Sequence, residues 1–211
     1  MKHYFSHVSS SKGFTLAEIV VVVGILGLIM IAISNFQVNV LNNNKYAQDS
    51  LSSADDARVI LRVMVKEMRT ASPSNNGAYA IAQAATNTMT FFSDVDGDGL
   101  KEQIRYFVST TTSPTLRKGL IKPTGSPAVY NPANEVFTTL AYNIKNATST
   151  ALFQYYDNGY AGTSSPLTMP VTVTAIRLVK INLMIDVNPN KSPIPRLYTS
   201  QVSLRNLKDN L

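Results

Sequence analysis

Ser11-Lys12-Gly13-Phe14-Thr15-Leu16-Ala17-Glu18, continued by an apolar run from Ile19 to Ile33, decides the fold of this chain. The run carries no charge: it is Ile, Val, Leu and Met, with Gly24, Gly27 and Ala32 among them. Counted from Phe14, it reaches the length of about 20 apolar residues that crosses a bilayer. Glu18 is out of place there. A carboxylate inside a spanning helix costs roughly 2.5–3.5 kcal/mol on insertion scales, so it calls for a partner.

After Ile33 the chain turns polar at Ser34-Asn35 but offers no Pro or Gly until Pro73. Leu51, Ala54, Ala57, Leu61, Met64, Val65 and Met68 recur at helical spacing. Asp55, Asp56, Arg58, Arg62, Lys66, Glu67 and Arg69 occupy the other faces. This pattern predicts one helix from about Phe14 to Ala71, apolar nearly all round in residues 14–35 and amphipathic in residues 36–72. Arg58 and Arg62, like Arg62 and Lys66, are like-charge pairs four residues apart, unfavourable on an isolated helix. The second half should therefore lie along a folded domain. Ser72-Pro73 and Asn75-Asn76-Gly77 end the helix.

Beyond Pro73 the pattern changes to short runs of β-branched and aromatic residues between turn signals. Expected strands are Thr88–Phe92, Gln103–Val108, Leu116–Ile121, Val136–Ile144, Ala151–Tyr156, Thr172–Asp186 and Arg196–Leu204. Pro189, Pro193 and Pro195 place a loop before the last one. The expected class is α+β, with residues 73–211 forming a head whose antiparallel sheet of six or seven strands lies on the helix.

Composition narrows the chemistry. The chain of 211 residues has no Cys, so the head must hold together without disulfides. Both histidines, His3 and His7, precede Gly13. A product starting at Phe14 has neither Cys nor His, which removes the Cys nucleophile, the Ser-His pairing and the usual zinc ligands. An enzyme is not expected. The formal charge is +6; without Lys2 and Lys12, 17 basic residues face 13 acidic ones, leaving +4. That excess is not a nucleic-acid footprint by itself. Arg177, Lys180, Lys191, Arg196 and Arg205 could form a basic stripe for DNA, but strand alternation sets Arg177 and Lys180 on opposite faces.

Two readings stand for Asp94-Val95-Asp96-Gly97-Asp98-Gly99. Acids on alternate positions with a Gly at the bend let Asp94, Asp96 and Asp98 converge on one hard cation, as in the first half of a calcium loop. Arg105 stands where such a loop carries its bidentate Glu, while Glu102 could contribute directly or through water. Alternatively the Asp side chains bond their own backbone, with Gly97 and Gly99 supplying positive φ. Tyr155, Tyr156 and Tyr160 could form a contact patch, but aromatics in strands are more often core.

Lys12-Gly13-Phe14-Thr15-Leu16-Ala17-Glu18 and its aliphatic run resemble the class III leader of type IV pilins and pseudopilins. The resemblance implies a cytoplasmic leader at residues 1–13, cut between Gly13 and Phe14 by a prepilin peptidase that also methylates Phe14. It implies a docking role for Glu18, and a pilin fold: a long helix, half spanning and half packed on a β-rich head. Asn35 stands where major pilins commonly carry Pro. Ile104-Arg105-Tyr106 after the acidic turn, Leu116-Arg117, Phe153-Gln154-Tyr155-Tyr156-Asp157 and Val202-x-Leu204-Arg205-Asn206 are similar to PilW-type minor pilins and the related J-type pseudopilin of type II secretion.

The resemblance thus implies a minor subunit, held once across the inner (cytoplasmic) membrane with its head exported. It would prime or cap a type IV pilus or a related secretion or competence filament beside other pilins. A membrane-anchored adhesin or DNA receptor is the competing class. So is a soluble exported protein with an ordinary signal peptide cut at Ala32-Ile33-Ser34.

Overall fold

The computed structural model describes residues 13–109, 113–146, 150–186 and 195–204. The leader residues 1–12, and with them His3, His7 and Lys12, lie outside the described residues, as do Pro189, Lys191, Pro193, Arg205 and Asn206. The element order is one long helix, α1 (Leu16–Arg69), followed by antiparallel strands: an α+β layout. Contacts divide the chain into two units, Met1–Gln48 and Asp49–Leu211.

The first unit is helical from Leu16, and every residue from Gly13 to Lys45 is exposed. An 18-residue window of this helix has a mean hydropathy of 2.9 and none of it is buried, so the helix is long and apolar enough to cross a membrane. A helix apolar all round calls for a surrounding that this unit does not itself supply.

In the second unit the stripe of α1 is narrower than the sequence suggests. Ser50, Ala57, Leu61, Met64 and Met68 are buried, at steps of seven, four, three and four residues. Leu51 stands one position off that line and is 68% exposed. Thr70 Oγ1 donates to the Glu67 carbonyl at 3.0 Å and meets Ser93 Oγ at 2.8 Å, fastening the helix end to a strand. Lys66 and Arg69 in the last turn complement the helix dipole.

Among the described residues eight strands form two sheets, in place of the single one expected. The first joins β1 (Ile81–Ala84), β2 (Thr88–Ser93), β3 (Glu102–Ser109), β4 (Thr115–Ile121) and β5 (Val136–Ala141) in sequence order. The second joins β6 (Phe153–Tyr156), β7 (Leu178–Ile185) and β8 (Arg196–Ser203). β1 escapes sequence reading because Ile81-Ala82-Gln83-Ala84 holds a single β-branched residue. The expected strand from Thr172 starts only at Leu178, since Val173–Ala175 is a 3₁₀ turn. Val136–Ile144 ends at Ala141: Asn143 takes φ 56°, and Ile144 makes only an isolated bridge to Ile185. Both sheets and the last turns of α1 share one core, including Met64, Met68, Phe91, Tyr106, Tyr155 and Val179.

β3 alternates strictly, with Glu102, Ile104, Tyr106 and Val108 buried and the residues between them half-buried. Tyr106 pairs across the ladder with Lys118, and both reach Glu67 of α1. The Tyr106 hydroxyl donates to Glu67 Oε2 at 2.6 Å, and Lys118 Nζ to Oε1 at 2.6 Å. On the opposite face Arg105 makes a two-pronged bond to Glu135, Nε to Oε1 at 2.9 Å and Nη2 to Oε2 at 2.7 Å. Arg105 also stacks 4.4 Å from the Phe107 ring centroid, and Arg117 lies 4.8 Å from that of Phe137. Glu135 reaches Arg105 by passing over Gly119, where a Cβ would stand 1.9 Å from its Oε1.

Burial, and then the charge and hydrogen bond of Glu67, push the Tyr106 hydroxyl far above its ordinary value. Below about pH 10 the phenol is neutral in folded and unfolded chains alike, and its contribution is whole. Above that, the unfolded phenol ionises while the folded one stays protonated, so stability falls as pH rises. Tyr106→Phe should cost about 2 kcal/mol at neutral pH, because Glu67 loses a donor. It should also flatten the loss of stability above about pH 10. Urea unfolding of the full chain in detergent micelles at neutral and alkaline pH checks both.

Candidate functional site

Two clusters of sequence-predicted residues stand far apart in the chain, and each is built differently. At the helix start, Gly13 and Phe14 are exposed, Phe14 by 80%. Among the described residues a Cβ at Gly13 would meet no atom within 4 Å, so no packing among them requires glycine there. The same holds at Gly24 and Gly27. On an apolar helix such small residues leave room for another helix to approach closely.

Glu18 has a local role beyond the one its place in the apolar run suggests. The Glu18 N–H donates to Thr15 Oγ1 at 3.3 Å, and the Thr15 N–H donates back to Glu18 Oε2 at 3.5 Å. Thr15-Leu16-Ala17-Glu18 is thus a capping box, legible from its Thr-x-x-Glu spacing. The helix dipole adds a preference for an acid in this first turn. Both bonds are long, so the carboxylate remains able to accept a stronger donor.

The acidic turn joins β2 to β3. Asp94 accepts from the Gly97 N–H at 2.7 Å and, through its other oxygen, from the Gly99 N–H at 3.0 Å. Gly97 and Gly99 have φ of 80° and 87°. Asp98 accepts from the Leu100 N–H at 2.7 Å, and Asp96 more loosely from the Asp98 N–H at 3.4 Å. The backbone-bonding role expected of these side chains is therefore present. Two lysines stand close by: Lys122 Nζ donates to Asp96 Oδ2, and Lys101 Nζ lies 3.8 Å from Asp94 Oδ2. The Lys122 ammonium holds the Asp96 carboxyl below the usual carboxylate range, and its own pKa rises in return.

Glu102 Oε2 accepts from the Val95 N–H at 3.0 Å. Carboxylate oxygens of Asp94, Asp96 and Glu102 all lie within 4.8 Å of one another; Asp98 does not belong to this group. The turn is also tied to its surroundings. The Lys101 N–H donates to Asn75 Oδ1 at 2.5 Å, and Tyr130 Oη donates to the Lys101 carbonyl at 2.7 Å.

The other candidates separate. Tyr155 is core, its hydroxyl bonded to the Ala85 carbonyl at 2.9 Å, and Tyr156 packs 4.3 Å from Tyr160. The Arg177 guanidinium binds the carbonyls of Thr174 and Ile176, and Arg196 is exposed at the start of β8. Sequence pattern does not single out as a surface the row of Arg58, Arg62, Lys66 and Arg69, which stands beside Thr199 and Ser200 around a groove of about 620 Å³. Set against known proteins, the chain matches no family model, no curated protein and no solved structure.

Thr15→Ala keeps the Glu18 charge but removes the side-chain cap, which is worth about 1 kcal/mol. Amide exchange at Glu18 and Ile19 in the full chain should quicken about fivefold, while exchange at Met64 stays unchanged. Nuclear magnetic resonance in detergent micelles reads both.

Proposed function

We propose that this chain is a minor pilin or pseudopilin, a non-enzymatic structural subunit of a type IV pilus or related secretion or competence filament. One observation carries the reading. In sequence Lys12-Gly13-Phe14 lead into a helix that carries Glu18 in its first turn, runs apolar and unbroken from Ile19 to Ile33, and is exposed at every residue from Gly13 to Lys45. A glycine that no packing among the described residues requires fits a site read by a peptidase. Apolar surface left bare on every side fits a helix that lies first in a bilayer and then among other helices.

In this reading the leader is removed after Gly13, and Phe14 becomes a methylated N-terminus. Glu18 exchanges its two long local bonds for the ammonium of a neighbouring subunit. An unpaired charge is costly in low dielectric, so the pair selects one register of helix against helix. The helix anchors the subunit in the inner membrane before assembly, and the head of residues 73–211 faces outward. Low-copy placement near the tip follows from the resemblance to minor pilins.

The row of Arg58, Arg62, Lys66 and Arg69 favours a second reading, an anchored receptor for an anionic ligand such as DNA. Glu18 separates the two.

The mature protein should begin at Phe14, which intact mass spectrometry reads; any other start sinks the pilin reading. Glu18→Gln should leave membrane insertion and processing intact but lower the amount of this protein in sheared filaments about tenfold relative to membranes, for a loss of roughly 1.4 kcal/mol or more. Normal incorporation would shift support to the receptor.

A further inference from the structure

The β2–β3 turn contains a buried oxygen that its own hydrogen bonds leave unexplained. Glu102 is fully buried, on the inward row of β3. One of its oxygens takes the Val95 N–H; the other, Oε1, has no hydrogen-bond partner among the described residues. An unsatisfied buried acceptor costs about 1–3 kcal/mol, and more when it belongs to a charged group. The same carboxylate belongs to the group formed with Asp94 and Asp96, whose oxygens lie within 4.8 Å of one another. Two oxygens bound to one calcium ion at about 2.4 Å each can stand no further apart than about 4.8 Å.

We propose that Asp94, Asp96 and Glu102 form a calcium site that closes the β2–β3 turn. The ion supplies the missing partner of Glu102 and neutralises carboxylates that the turn brings together. Water and turn oxygens fill the remaining positions of a coordination shell that takes six to eight oxygens. Asp98, bonded to the Leu100 N–H, shapes the turn. The two lysines are weak competitors. Lys122 has 62% of its side chain in solvent, so its hold on Asp96 is easily exchanged, and Lys101 stands 3.8 Å from Asp94.

Calcium is favoured over magnesium by the ligands. They are three carboxylates fixed by a backbone turn, without the near-ideal octahedron that magnesium demands. Through the Lys101 backbone the site is bonded to Asn75 and Tyr130, so the ion also steadies the segment that follows α1. This inference does not depend on the filament reading.

The test uses the full chain in detergent micelles, stripped with chelator and titrated with calcium chloride. One ion should bind, and 10 mM calcium should raise the melting temperature by about 5 °C when it exceeds Kd a hundredfold. Glu102→Gln keeps an acceptor for the Val95 N–H and should lose affinity at least tenfold, as should the exposed variant Asp96→Asn. Either variant that retains its chelated melting temperature near that of the parent isolates binding from folding. Absence of stoichiometric binding, an equal effect of magnesium, or parental affinity in both variants would overturn the proposal.

Discussion

Glu67 lies on α1 with its side chain only 11% exposed, and two donors from adjacent strands close on it: the Tyr106 hydroxyl and the Lys118 ammonium. The stripe of Ala57, Leu61, Met64 and Met68 supplies apolar contact, but apolar contact tolerates a helix that slides or turns. A half-buried carboxylate does not, because moving it by a few ångströms strands a charge and two donors away from water. Tyr106 and Lys118 face each other across the β3–β4 ladder, so the sheet must be in register before both can reach the same carboxylate. The fixed seat of the helix on the sheet depends on this meeting, and so does the placement of Thr70 beside Ser93 one turn later.

Much of this fold is legible in the amino-acid sequence, for reasons that differ by element. The helix is readable from Phe14 to Ala71 within two residues at each end, because an unbroken apolar run passes into an amphipathic pattern with no Pro or Gly between Ile33 and Pro73. β3 is readable because its alternation is strict, whereas β4 breaks alternation at Arg117-Lys118 and is readable from the Pro-containing turn before it. β1 is not, since an Ala-rich edge strand is specified by its pairing with β2 and not by its own residues. Division into two sheets is equally hidden: it depends on which strands meet, and local pattern carries no information about that. Glu67 reads as a solvent-facing charge because helical spacing assigns a face, not what covers it. Glu102 can be placed inside by extending the β3 alternation back two residues from Ile104. Asp94, Asp96 and Glu102 meet as the spacing suggests, while Asp98 turns to its own backbone.

The two ends of α1 treat acidic groups in opposite ways. At its start Glu18 is exposed and, among the described residues, held by long bonds to Thr15, a cap that closes the helix yet leaves the carboxylate open to another donor. At its end Glu67 is enclosed and fully committed. One carboxylate is therefore suited to an encounter and the other to a fixed structure. Helix propensity cannot tell them apart; the difference arises from what the chain lays over each.

Gly119 and Glu135 constrain how this head can change. A side chain at position 119 and the full reach of position 135 cannot coexist, since the Cβ would fall on the carboxylate that holds Arg105. Substitution at 119 is therefore coupled to position 135: a Cβ there pushes the Glu135 side chain off Arg105, a cost that disappears once Glu135 has been shortened. In a drifting lineage the order of the two changes matters. One sequence of steps passes through a crowded intermediate, the other through a merely loosened one, and only the latter is an easy path.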